Sequence, residues 1–251
     1  MRKNDVPDSN EALFDAANRN QIFLIRFGGK AAREAIALLD KAEIDLIERI
    51  AARIDRLGPA AAADTFGSKR LKAILQAIRT QNRDLVTALH SVTARNLRGV
   101  ARQEIDIADR RISEAVGVEL KNFRPTPEEV RTLVQKRGVG AISLRRWFTR
   151  LGRDRLGRLE SAVNLGVIEG DTIQQITRRL RAAEQSTRRA AEALVRTHVN
   201  HVANQARDQL YKANDDIVKG VRWTATLDGR TSHICRARDG KVYDTDTGPR
   251  P

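Results

Sequence analysis

Hydrophobic residues recur at three- and four-residue steps along most of this chain, the spacing that gathers them on one face of an α-helix. After a polar start over residues 1–10, the helical pattern begins at Glu11 and meets an interruption at Gly28-Gly29. It then continues with Ile36, Leu39, Ile47, Ile50, Ile54 and Leu57 on one stripe. Gly58-Pro59 predicts the end of that helix, and the alanine-rich stretch to Asp64 reads as a connector. A second long run places Leu71, Ile74, Leu75, Ile78, Leu85, Leu89 and Val92 on one face, and Ile105, Ala108, Ile112 and Val116 extend it. Gly99 is its point of bending or division.

Thr126-Pro127-Glu128-Glu129 is a helix start: the threonine hydroxyl caps free amides, proline suits the first turn, and the acids favour the positive helix end. The helix it opens runs to about Arg137 and meets a Gly138-Val139-Gly140 hinge. Another follows from about Leu144 to Asn164 and closes near Gly166. Asp171-Thr172-Ile173-Gln174 has capping-box spacing and opens a helix through Leu180. A last long helix starts at Ser186 or Thr187 and carries Leu194, His198, Val202 and Leu210 to about Ala213. Beyond Lys219, Val221–Ala225 and Lys241-Val242-Tyr243 read as strands, with turns at Asp228-Gly229 and Asp239-Gly240. The expected fold is mainly α, an elongated long-helix body with a small β-hairpin-containing module at its carboxy end. The natural divisions are 1–124, 125–218 and 219–251, and no repeat of 20–50 residues is present.

Aromatic residues make up only 4% of the 251, which suits amphipathic helices better than a β-sandwich. Lys and Arg number 46 against 32 Asp and Glu, a net charge of +14, so a polyanionic partner or environment is the first functional suspicion. The first fifty residues are close to neutral and the excess is spread over the remainder, which excludes a disordered basic arm. One cysteine excludes an internal disulfide framework and a self-contained multi-cysteine zinc site. The chain has neither a membrane-length apolar run nor the apolar core of a signal peptide near Met1, so an intracellular, reducing compartment is expected.

Between Leu144 and Arg158 six arginines, Arg145, Arg146, Arg150, Arg153, Arg155 and Arg158, stand against the single acid Asp154. Guanidinium groups bind phosphates bidentately, so this run could follow a nucleic-acid backbone without reading bases. A solvated helix face or a protein interface would carry the same residues. For Arg178, Arg179, Arg181, Arg188 and Arg189 the plain solvated reading is stronger. His198 and His201 have metal-pair spacing but no complementary carboxylate, and both His198 and the isolated His90 read as structural. His233 and Cys235 are too few for a closed zinc site, and a nucleophile pair there lacks an orienting third residue. With no phosphate-binding glycine loop, metalloprotease or serine-hydrolase motif in the chain, no enzyme is expected.

Three segments resemble the phage minor head protein family, the Mu F-like head morphogenesis proteins. They are Gly166 to Ile176, the Arg196-Thr197 helix around Leu194–Asn200, and above all the progression Trp223, Asp228, Arg230-Thr231, Cys235 and Asp239-Gly240. The resemblance covers about residues 125–251. It departs from the family at His198, where an acid is common, and at Gly248-Pro249-Arg250-Pro251, where the family's tail commonly continues into a His and further Cys residues. The ending is then either a natural variant or, as the favoured expectation, a truncated module. Were the continuation present, His233 and Cys235 would join a larger Cys/His cluster with zinc; otherwise no cofactor is implied. The implied function is a non-enzymatic minor structural component of a tailed-phage or prophage head, acting in assembly or in genome packaging and delivery. The implied partners are the portal protein, packaged double-stranded DNA, and the major capsid or scaffolding protein. The implied location is the virion, at the head interior or portal vertex, with the host cytoplasm during assembly. The charge alone equally allows a free, non-specific nucleic-acid-binding protein.

Overall fold

The computed structural model describes residues 9–55, 68–117, 125–136, 138–225, 227–229, 231–245 and 247–249. Within them lie six helices, α1 (Ser9–Asp55), α2 (Ser68–Val116), α3 (Pro127–Lys136), α4 (Leu144–Ile168), α5 (Ile173–Ala213) and α6 (His233–Arg238). Two short strands, β1 (Val221–Arg222) and β2 (Val242–Tyr243), complete the described elements. The mainly helical class with a small carboxy-terminal β element is what the chain adopts. The expected ending at Gly58-Pro59 and the connector after it lie outside the described residues.

Helix starts follow the local chemistry. Glu129 N donates to Thr126 Oγ1 at 3.3 Å while Thr126 N donates to Glu129 Oε2 at 2.7 Å, a reciprocal capping box. At α5 the box sits one residue later than the sequence suggests. Thr172 and Gln175 form it, with Gln175 N donating to Thr172 Oγ1 at 3.3 Å and Thr172 N to Gln175 Oε1 at 2.6 Å. Asp171 is drawn instead to Arg179, whose Nε lies 2.5 Å from Asp171 Oδ2. Between α3 and α4 the expected hinge is a single 3-10 turn, Val139–Ala141, in which Gly140 takes φ +60°.

Two expected interruptions are absent, and α2 is not divided at Gly99. α1 runs unbroken through Gly28-Gly29 and α2 through Gly99. A glycine costs a helix only about 1 kcal/mol, and burial of Leu24, Ala31, Ala32 and Ala35 around the first pair exceeds that. The expected gap between Leu180 and Ser186 is also helical, making α5 one 41-residue helix. Its polar residues Glu184 and Thr187 are buried and bonded to α4, so they belong to the inward stripe.

The chain forms two compact units, each discontinuous in sequence. One comprises Phe23–Arg98 with Val134–His201, the other Met1–Ile22, Gly99–Leu133 and Val202–Pro251. In the first, Leu46 and Ile50 of α1, Ile74 and Ile78 of α2, Leu159 and Val163 of α4, and Ile176 and Leu180 of α5 pack into one apolar cluster. In the second, Val100, Ala101, Ile105 and Ala108 of α2 are buried, as are Val130 and Leu133 of α3 and Val202, Ala203, Ala206 and Leu210 of α5.

Candidate functional site

The arginine run opens α4, which Ser143 caps by accepting from Arg146 N at 3.3 Å. At about 100° per residue, Arg145, Arg146, Arg150 and Arg153 fall within one arc, and all four are exposed. Among the described residues none of the four has a carboxylate partner at ion-pair distance. Trp147 borders the arc: its Nε1 donates to Val139 O at 3.3 Å, its ring meets His198 edge-on at 6.2 Å, and the Arg150 guanidinium lies 5.7 Å from its centre.

Arg155 does not belong with them. It lies on the opposite face, on the stripe of Leu144, Phe148, Leu151 and Leu159, and is 1% exposed. Its Nε donates to Glu184 Oε1 at 2.9 Å, its Nη1 to Asn82 Oδ1 at 2.9 Å and its Nη2 to Gln81 Oε1 at 3.1 Å. A guanidinium enclosed this way has no surface to offer a phosphate. Arg158 is half-buried, with Nη2 donating to Thr187 Oγ1 at 3.0 Å. Of the six arginines, Arg145, Arg146, Arg150 and Arg153 are the exposed ones. In the second cluster, Arg179 pairs with Asp171 and Glu169, Arg181 with Glu43, and Arg188 with Asp40 and Glu43.

His198 is buried, with Nδ1 2.9 Å from Leu194 O, and burial lowers its pKa below the usual value. His90 packs edge-on against Phe148 at 6.3 Å, and burial, with Arg145 and Arg98 adding to it, lowers its pKa too. Both therefore favour the neutral imidazole.

The carboxy-terminal module is a knot of local bonds around the two-stranded antiparallel sheet, in which Val221 opposes Tyr243 and Arg222 opposes Val242. Trp223 N donates to Lys241 O at 2.8 Å, and Gly240 N, in a turn with φ +74°, donates to Trp223 O at 2.9 Å. Asp239 Oδ1 accepts from Ala225 N at 2.8 Å, and the Arg238 guanidinium stands 5.1 Å from the Trp223 ring centre. Thr231 Oγ1 accepts from Asp228 N at 3.0 Å and donates to Asp228 Oδ1 at 3.2 Å. Trp223, Asp239 and Gly240 thus tie the segment after β1 to the turn before β2, while Asp228 and Thr231 close a local turn on each other.

That pattern of bonds falls within a recognisable stretch of chain. Residues 158–250 match the model of the Phage Mu protein F like protein family. No curated protein and no solved structure matches the chain. The Mu F-like region takes in α5, α6 and both strands, whereas Arg145, Arg146, Arg150 and Arg153 lie outside it. Within it, Arg196 is exposed with its Nη2 2.9 Å from Glu192, and Thr197 is exposed. Arg230 lies outside the described residues.

His233 and Cys235 sit on α6 and not on a loop, with Cys235 N donating to the Ser232 cap at 3.2 Å. Two residues apart on a helix, they are separated by about 200° of rotation, so they do not converge on one ion. Among the described residues no group of three or more His, Cys, Asp and Glu side chains is placed to hold a metal. No helix among the described residues is long and apolar enough to cross a membrane.

Sequence reading missed the buried Arg155–Glu184 group, although a signal for it existed. Arg155 continues the spacing of Leu144, Phe148, Leu151 and Leu159, and Glu184 that of Ile176 and Leu180.

Proposed function

We propose that this protein is a minor structural component of a tailed-phage or prophage head, associated with the portal and acting in head assembly or in genome packaging and delivery. The observation that carries the reading is the match of residues 158–250 to the Phage Mu protein F like family. It falls on the segments whose Arg-Thr and Trp-to-Tyr motifs resemble head morphogenesis proteins. The role is structural and asks for no turnover. Its location is the virion, with assembly in the host cytoplasm, and its further partners are the major capsid or scaffolding protein.

Arg145, Arg146, Arg150 and Arg153 are the surface through which α4 meets packaged double-stranded DNA without reading its sequence. Four exposed guanidinium groups on one arc fit a dense array of phosphates. The reading is tested by isolating portal complexes and mature particles from an infection that produces the protein. Its presence in either supports the proposal, and its absence from both ends it.

A further inference from the structure

The Arg155 group joins four helices at one point. Arg155 of α4 donates to Glu184 of α5 and to Gln81 and Asn82 of α2. Gln81 Nε2 donates onward to Ala42 O of α1, and Asn82 Nδ2 returns to α4 at Gly152 O, 3.0 Å away. Gln81, Asn82, Arg155 and Glu184 are all buried. Each amide uses both its oxygen and its nitrogen, so the group is closed on itself.

Such a cluster is poorly explained by stability alone. Desolvating a guanidinium and a carboxylate costs several kcal/mol, and apolar residues of similar volume would fill the space as well or better. It supplies direction instead. The apolar stripe of Leu144, Phe148, Leu151, Leu159 and Val163 has no angular preference finer than the packing of round side chains. A planar guanidinium with three different acceptors has one orientation in which all its bonds close. Gly152 lies on the same face and lets α2 approach closely, since a β-carbon there would stand 2.3 Å from Val86 Cγ2.

We propose that Arg155, Glu184, Gln81 and Asn82 form a rotational lock on α4, which sets the angle at which Arg145, Arg146, Arg150 and Arg153 leave the surface. The consequence for DNA rests on the function proposed above; the lock itself does not. Arg155 is thereby a positioning residue for the exposed arginines, and it touches no ligand.

Trp147 reports the rotation of α4, because it sits between the exposed arc and His198. In the full chain carrying Trp223→Phe, the remaining indole is Trp147 alone. The test compares Arg155→Lys, which keeps the charge but lacks the planar fork, with Arg155→Met/Glu184→Leu, which removes the pair without leaving a buried charge. Circular dichroism establishes that each is helical. Expected in the folded variants are a red-shifted Trp147 emission and a larger acrylamide quenching constant than in the parent. Duplex DNA binding is also expected to lose salt dependence, from a log–log slope of about −3.6 for four phosphate contacts toward zero. Folded variants with parental emission and quenching would overturn the lock. Failure of both variants to fold would overturn it too, by showing that the group supplies stability and not direction. A parent that binds no DNA would remove the proposed DNA contact while the Trp147 measurement still decides the lock.

Discussion

Gly152 of α4 and Val86 of α2 are in contact so close that a β-carbon at Gly152 would stand 2.3 Å from Val86 Cγ2. Val86 is β-branched and restricted at χ1 in a helix, so it has little room to yield. Gly152→Ala is therefore expected to destabilise the protein, the overpacking cost of about 1–3 kcal/mol outweighing the propensity gain. Gly99 and Gly157 also lie within helices but have nothing within 4 Å of such a carbon. Alanine at either is expected to stabilise by about 1 kcal/mol. Thermal unfolding of the three single variants checks the opposite signs.

Removing one half of the buried pair is expected to cost far more than removing both. Arg155→Met leaves Glu184, 1% exposed, as an unpaired carboxylate, and a loss of about 3–5 kcal/mol is expected. Adding Glu184→Leu to it should recover most of that loss. Urea titrations of the two variants and the parent measure the difference, and equal losses would contradict the geometry.

DNA binding by the parent is expected to weaken steeply with salt. Arg145→Ala, Arg146→Ala, Arg150→Ala and Arg153→Ala together should remove about 3.6 from the log–log slope. Arg178→Ala/Arg189→Ala, changing two exposed arginines of α5, serves as the comparison. A slope unchanged by the four substitutions would take DNA contact away from α4.

Stability is expected to fall on acidification below about pH 6.5, the ordinary histidine value. Burial lowers the pKa of folded His198, and burial with Arg145 and Arg98 lowers that of His90. The unfolded chain thus takes up protons first, and stability present above the unfolded value is lost as the pH drops toward the folded ones. His198→Leu should flatten part of this limb. Chemical denaturation at a series of pH values reads it directly.

In the carboxy-terminal module, Asp239→Ala removes the acceptor of Ala225 N. The expected effect is local: faster hydrogen exchange at Ala225, with the thermal midpoint of the helical transition nearly unchanged.

Much of this fold is legible in local chemistry. Thr126 and Glu129 announce α3 because a capping box needs only four consecutive residues, and Val221 and Val242 announce a strand pair beside their turns. The errors share a cause. Gly28-Gly29 and the polar stretch before Ser186 look like helix ends by propensity, which is a weak force beside burial. Packing of Leu24 and Ala35 keeps α1 whole, and Glu184 and Thr187 are polar because Arg155 and Arg158 face them. The helix α6 was hidden for another reason: six residues carry too little periodicity to stand out from a loop.

The sequence by itself determined the helical class, most helix starts, the excess of positive charge and the motifs of the carboxy-terminal module, all properties of residues near one another in the chain. Only the tertiary structure decided which arginines of α4 face outward. Arg155 and Arg153 are two positions apart and chemically identical, yet one is enclosed and the other exposed. The difference is made by Gln81, Asn82 and Glu184, which reach Arg155 from other helices. A buried guanidinium is tolerated only where such distant partners satisfy it.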